Sequence, residues 1–219
     1  MTKLSPAPLL FALASLLLCQ CSAPPVPKPR GYFRITLPEH DYQEFESRLM
    51  PYKFDISKHS RVAKDDEKGA QETWSNIFYP TLNCKIHLTY LSLAESQQDL
   101  AFEDSHQFAY KHTVVADAIG ERYYEDPQRH VFATLYQIKG NAASPIQFAI
   151  TDSTGQFLRG SLYFYCRPNK DSLAPVIDYV NNDINHLITW LSCIAHVACH
   201  AVITWLSCTT HLADHAMIM

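Results

Sequence analysis

The chain has 219 residues, 47% of them hydrophobic and 18% charged, which is enough for one domain with a sizeable core. Its formal net charge of −4 leaves no basic footprint, so nucleic acid is excluded as a partner. The seven cysteines contain no C-x-x-C frame and do not make a disulfide scaffold on their own.

The N-terminus carries one lysine and then an apolar run from Leu9 to Leu18. That run is too short for a bilayer, which needs about 20 residues, and matches the apolar stretch of an export signal. A cysteine follows with leucine three positions earlier, Leu16 before Cys19 or Leu18 before Cys21, as in a bacterial lipobox. Residues 1–20 therefore read as a lipoprotein signal peptide and Cys21 as the lipid-bearing residue. Cys19 stays open as the alternative, because neither cysteine follows a small residue. Two or more acyl chains on such a cysteine give stable anchoring. Ser22–Pro29 holds four prolines in eight residues, a stiff stretch of roughly 25 Å, so 21–30 reads as a Pro-rich tether.

The folded part begins at Gly31, where 31–37 predicts a strand stopped by Pro38, and 53–56 predicts a second short strand. Arg61–Thr73 is charged and aperiodic and reads as a solvated loop. Trp74–Tyr79 and Cys84–Leu91 flank Pro80-Thr81-Leu82-Asn83, the pattern of a hairpin. Ser96 reads as the cap of a helix running to about His112, with a thin apolar stripe of Leu100 and Phe108. Val131–Lys139 is a strand. Ile146–Tyr165 is a second hairpin, apolar enough to sit centrally in a sheet, turning at Asp152-Ser153-Thr154-Gly155 with Gly155 free to take positive φ. Leu173, Val176, Ile177, Val180, Ile184, Leu187, Ile188 and Leu191 then recur at helical spacing. Asp171 or Ser172 would cap that helix, with Pro175 in its first turn.

Sequential strands joined by short turns imply an α+β fold: a mostly antiparallel sheet of about 6–8 strands packed with two main helices. The domain spans 31–191. Beyond it, 192–219 is an atypical tail in which I-T-W-L-S-C and its histidines recur at a period of 15. His196/His200 and His211/His215 are i, i+4 pairs that can bind a transition metal on a helix face. A tandem duplication or an altered reading frame explains the similarity more cheaply, so no metal and no cofactor is assigned.

The densest polar cluster is Glu103, Asp104 and His106 with Lys111 and His112. It carries no nucleophile elbow and reads first as a protein-contact patch. The competing reading is an envelope hydrolase or small-ligand binder, which a concave pocket joining this helix to the sheet would favour. His87, inside a strand, reads as a hydrogen-bonded structural histidine. Cys84 and Cys166 flank strands in a compartment that allows disulfides, and nothing in their spacing pairs them.

The segments PKPRGYFR (27–34), NCKIHLTY (83–90), AYKHT (109–113) with ADAI (116–119), GNAASP (140–145), FLRG (157–160) and PNKDSLAPVI (168–177) resemble the gliding-motility lipoprotein family GldD. The resemblance covers about residues 19–190 and leaves the tail outside it. It implies a lipid-anchored envelope protein facing the periplasm, required for gliding. Its partners would be other gliding-motility and type IX secretion proteins, and its role that of a non-catalytic accessory subunit. The lipid-bearing cysteine is the only functional position it carries over.

Overall fold

The computed structural model describes residues 31, 34–46, 52–66, 68–94 and 97–193. The candidate lipid-bearing residues Cys19 and Cys21 lie outside the described residues. So do the paired tail histidines His196 and His200, and His211 and His215, with the metal-binding alternative they carried. In chain order the elements are β1 (Tyr42–Glu46), β2 (Tyr52–Ser57), β3 (Arg61–Lys64), β4 (Ser75–Tyr79), β5 (Cys84–Ser92) and α1 (Gln98–Tyr110). A 3-10 turn (Lys111–Val114) leads into β6 (Ala116–Asp126), β7 (Val131–Gly140), β8 (Ile146–Thr151), β9 (Gln156–Phe164), α2 (Lys170–Trp190) and β10 (Ser192–Cys193).

Seven strands form one antiparallel sheet in the order β3-β4-β5-β9-β8-β7-β6, and β1-β2-β10 form a smaller one. The expected α+β architecture is therefore present. The hairpin β8–β9 occupies its centre, with β5 on one side and β7 on the other.

Alternation sorts the two faces. Ile86, Leu88, Phe148, Ile150, Leu158 and Leu162 point to one face and are buried there with Val180, Ile184, Leu187 and Ile188 of α2 and with Tyr52 and Phe54 of β2. The apolar stripe read along 173–191 is thus the packing stripe, and each fully buried Leu or Ile stabilises it by about 1.5–3 kcal/mol. The opposite face carries the odd-numbered positions of β5 and β9. There α1 covers only one end, with Phe102 edge-on to Phe157 at 5.2 Å and the Gln98 amide on Thr151 Oγ1 at 3.0 Å.

Several expectations change. Residues 34–41 form no ladder, and the first strand among the described residues is Tyr42–Glu46, where 31–37 was expected. This stretch is held by His40 on Asp183 and by the Lys58 N–H, which donates to the Asp41 carbonyl at 2.8 Å. Arg61–Lys64, read as loop, is an edge strand on β4, its exposed charged positions suiting an edge. Helix α1 starts at Gln98 after an N-cap with no side-chain bond, and Ser96 lies outside the described residues. Its supposed stripe is not buried: Leu100 is 64% exposed and Phe108 42%, and the buried residues of the helix are Gln98, Ser105 and Ala109. The cap of α2 is Asn169, whose side chain accepts from the Ser172 N–H, so Pro175 falls in the second turn and removes one ladder bond. Ser192 and Cys193, read as the start of the tail, pair with Lys53 and Tyr52 of β2.

The β8–β9 turn forms where expected, but its left-handed residue is Ser153 at φ 57° and not Gly155. Asp152 organises it. Its Oδ1 accepts from the N–H groups of Thr154, Gly155 and Gln156, each at 2.9 Å, and its Oδ2 from the Thr154 hydroxyl at 2.7 Å. Burial alone would raise this carboxyl, and the converging donors instead hold it below its ordinary value of 3.8. A depressed folded-state value means that the stabilisation is full above 3.8 and fades as pH falls below it. The stability advantage of the wild type over Asp152→Asn, measured by urea unfolding, should be present at neutral pH and shrink toward zero at acid pH.

Candidate functional site

The uncovered part of the α1 face is a cleft of about 340 Å³ whose floor follows from strand register. Across β5, β9 and β8, His87 pairs with Ser161 and Ser161 with Gln147, while the next row runs Thr89, Arg159, Ala149. These residues alternate with the core positions of the same strands, so they share the opposite face. Phe108 of α1 and Lys111 and His112 of the 3-10 turn form the wall. A bulge next to Asp117 brings that turn into β6. Gly140 accommodates it at φ 120°, where a Cβ would lie 2.8 Å from the Asp117 nitrogen.

The cleft is cationic. Arg159 stands with its guanidinium 4.6 Å from the Phe108 ring centroid, and Lys111 Nζ is 4.4 Å from the same ring. Burial pulls Arg159 below its ordinary value, with Tyr163 and Asp104 opposing this, and an arginine keeps its proton regardless. Burial also pulls the His112 imidazole down, which favours its neutral form. His87 is oriented on both sides: Nδ1 lies 3.2 Å from Asp65 Oδ2 and 3.0 Å from Asn76 Oδ1, and Nε2 lies 3.3 Å from Thr89 Oγ1. That is the hydrogen-bonded structural histidine the sequence predicts.

The five residues of the expected patch do not act as one surface. Lys111 and His112 line the cleft. Glu103 and Asp104 are exposed on α1, Glu103 accepting from Gln107 at 3.1 Å. His106 turns toward β6, 3.5 Å from Glu121, and stacks on Tyr110 at 4.2 Å.

A second constellation is absent from the sequence reading. Asp183, buried within the stripe of α2, has His40 Nδ1 2.7 Å from Oδ1 and accepts the Tyr42 hydroxyl on Oδ1 and the Tyr79 hydroxyl on Oδ2, both at 3.0 Å. Burial first and Asp183 second push both phenols far above their ordinary values. Rings continue the contact: His40 stacks on Tyr179 at 4.3 Å, and Tyr42 on His186 at 3.6 Å. His186 Nε2 in turn lies 3.0 Å from Asp55 Oδ2 of β2. The one sequence signal for this node is an aspartate at a stripe position of an amphipathic helix.

Cys84 and Cys166 are both free thiols. Cys84 faces the core, and burial, aided by Asp183, pushes its thiol up to about 12, so it is inert as a nucleophile.

The family described as gliding motility lipoprotein GldD matches residues 22–192. No curated protein matches the chain. Among solved structures it is similar to the solution structure of cyanobacterial PsbP (CyanoP) from Synechocystis sp. PCC 6803. The two are 8% identical, with a TM-score of 0.39, over 69% of this chain and 95% of that one.

Proposed function

Because the chain belongs to the GldD family of gliding motility lipoproteins, we propose that it is a non-catalytic accessory subunit of the gliding and type IX secretion machinery. It is tethered through Cys21 and faces the periplasm. The observation that carries this reading is the extent of the family match, which runs from the residue after Cys21 to the end of α2 and so takes in tether and domain together. The buried polar groups support a structural role. Asp183 uses its carboxylate on three groups from two parts of the chain, and His87 is engaged at both ring nitrogens. An acid–base catalyst needs a group left available to substrate.

A subunit that works by contact needs exposed residues for its neighbours. Val114, 92% exposed at the end of the 3-10 turn, and Tyr123, 67% exposed on the edge strand β6, are such positions. A photo-crosslinking residue placed at either position in living cells should give discrete adducts containing gliding or secretion components. Capture of only bulk envelope proteins from both positions, in cells that still glide, contradicts the subunit reading.

A further inference from the structure

We propose that the cleft between α1 and the β5–β9–β8 face is a binding site for a small organic oxyanion, a carboxylate or a phosphate, clasped by Arg159 and Lys111. The inference concerns a ligand and does not depend on the gliding reading.

Three observations converge on it. The first is charge. In a chain of net charge −4, the cleft is lined by two full cations, Arg159 and Lys111, and no acidic side chain among the described residues lines it. The second is the state of those cations. Neither Arg159 nor Lys111 is in an ion pair among the described residues, although Arg159 is half-buried in the floor. The Phe108 ring gives both a cation–π contact but supplies no counter-charge. Buried charges are ordinarily paired, and a planar guanidinium facing open space is matched by a planar or tetrahedral oxyanion that can accept two parallel N–H bonds.

The third observation is Gln147. It is 5% exposed, lies in the row beside Ser161, and lines the cleft. Neither the Gln147 amide nor the Ser161 hydroxyl has a hydrogen-bond partner among the described residues. The amide is not among the buried polar groups left without a partner, so its polar end opens onto the cleft, where it is free to bond a ligand. Arg159, Gln147 and Ser161 therefore present donors from two adjacent rows of rigid sheet. Lys111 closes from the turn, and Phe108 and Tyr163 offer apolar walls for the organic part. A volume of about 340 Å³ suits a ligand of metabolite size.

The test uses the full-length acylated protein in detergent, melted in increasing inorganic phosphate or glutarate with sodium chloride as the equal-ionic-strength control. The expected result is a saturable rise of several degrees with at least one probe and none with chloride. Phosphate alone identifies a phosphoryl ligand, glutarate alone a carboxylate, and both an unselective oxyanion site. Arg159→Gln should weaken the effective probe at least tenfold, and the surface change Lys111→Gln should weaken it severalfold. Arg159→Lys should recover only part of the affinity, because it keeps the charge and loses the fork. Should Arg159→Gln fail to fold, Lys111→Gln alone decides. Stabilisation by neither probe, or stabilisation equal in wild type and in the folded variants, overturns the proposal.

Discussion

Replacing Gly160 with valine is expected to leave the chain without a stable native state. Gly160 sits on β9 directly across from Phe148 of β8, in the middle of the seven-stranded sheet. The Phe148 ring lies over the glycine and fills the space a side chain would take. A Cβ built there is 2.7 Å from Phe148 Cε2 and closer still to Cζ and Cε1. The ring is fully buried in the core cluster that also holds residues of β5, β9 and α2, so moving it means repacking that core. Overpacking a tight core costs about 1–3 kcal/mol for added methylenes, and a clash inside a ring exceeds that range. Alanine should cost more than about 3 kcal/mol and valine most of the roughly 5–15 kcal/mol that a domain has. Pairing Gly160→Ala with Phe148→Leu should recover part of the loss in urea unfolding, as expected for residues in contact. Additive losses in that pair would show that the ring is not what excludes the side chain.

Asp183→Ala should be the most damaging single change outside the sheet centre. It removes the partner of the Tyr42 and Tyr79 hydroxyls and of the His40 ring; Tyr42 and His40 still reach each other at 3.2 Å, but Tyr79 is buried and loses its acceptor. Removing one partner from a buried polar network costs about 3–5 kcal/mol, because the remaining groups keep their desolvation penalty. Asp183→Asn keeps one acceptor oxygen and should lose roughly half as much. The loss has a location as well as a size. Residues 34–41 form no ladder, and His40 and Tyr42 tie the entry to β1 onto α2 through Asp183. Limited proteolysis of the alanine variant under native conditions should cut first within 34–46. Uniform resistance there would show that other contacts hold this segment.

These two sites mark how far the sequence could be read. The period-2 runs of β7, β8 and β9 and the 3.6-period stripe of α2 are legible because burial on one face imposes apolar residues at those intervals. Gly160 fits that pattern as a core-face position, but only the register of β8 against β9 puts Phe148 over it. Strand β6 escaped notice because it is an edge: its residues, Ala116 to Asp126, are mostly exposed or half-buried, so charge is tolerated and no alternation survives. Helix α1 misled for the opposite reason. It rests on the sheet through Gln98, Ser105, Ala109 and the ring of Phe102, while Leu100 faces solvent and Phe108 stands over the cleft beside Arg159.

The cleft was half legible. Lys111 and His112 stand out as a polar cluster, and Arg159 and Ser161 are visibly on the polar face of β9. What joins them is the cross-strand order β5-β9-β8, which no single stretch of sequence records. Asp183 was hidden by its own surroundings, since one acidic residue in an apolar stripe is visible only as an exception until its donors arrive from Tyr42 and Tyr79.

The claim that most needs direct measurement is that this domain works from a lipid anchor in the gliding machinery. The measurement is single-cell gliding of the host strain carrying Cys19→Ser and Cys21→Ser behind a cleavable, non-lipidating export signal, with the protein's level and melting point checked. Anchoring accounts for function if the exported, folded, soluble form accumulates while cells stop gliding, and restoring Cys21 alone restores movement. Cells that glide normally on the soluble form would contradict it.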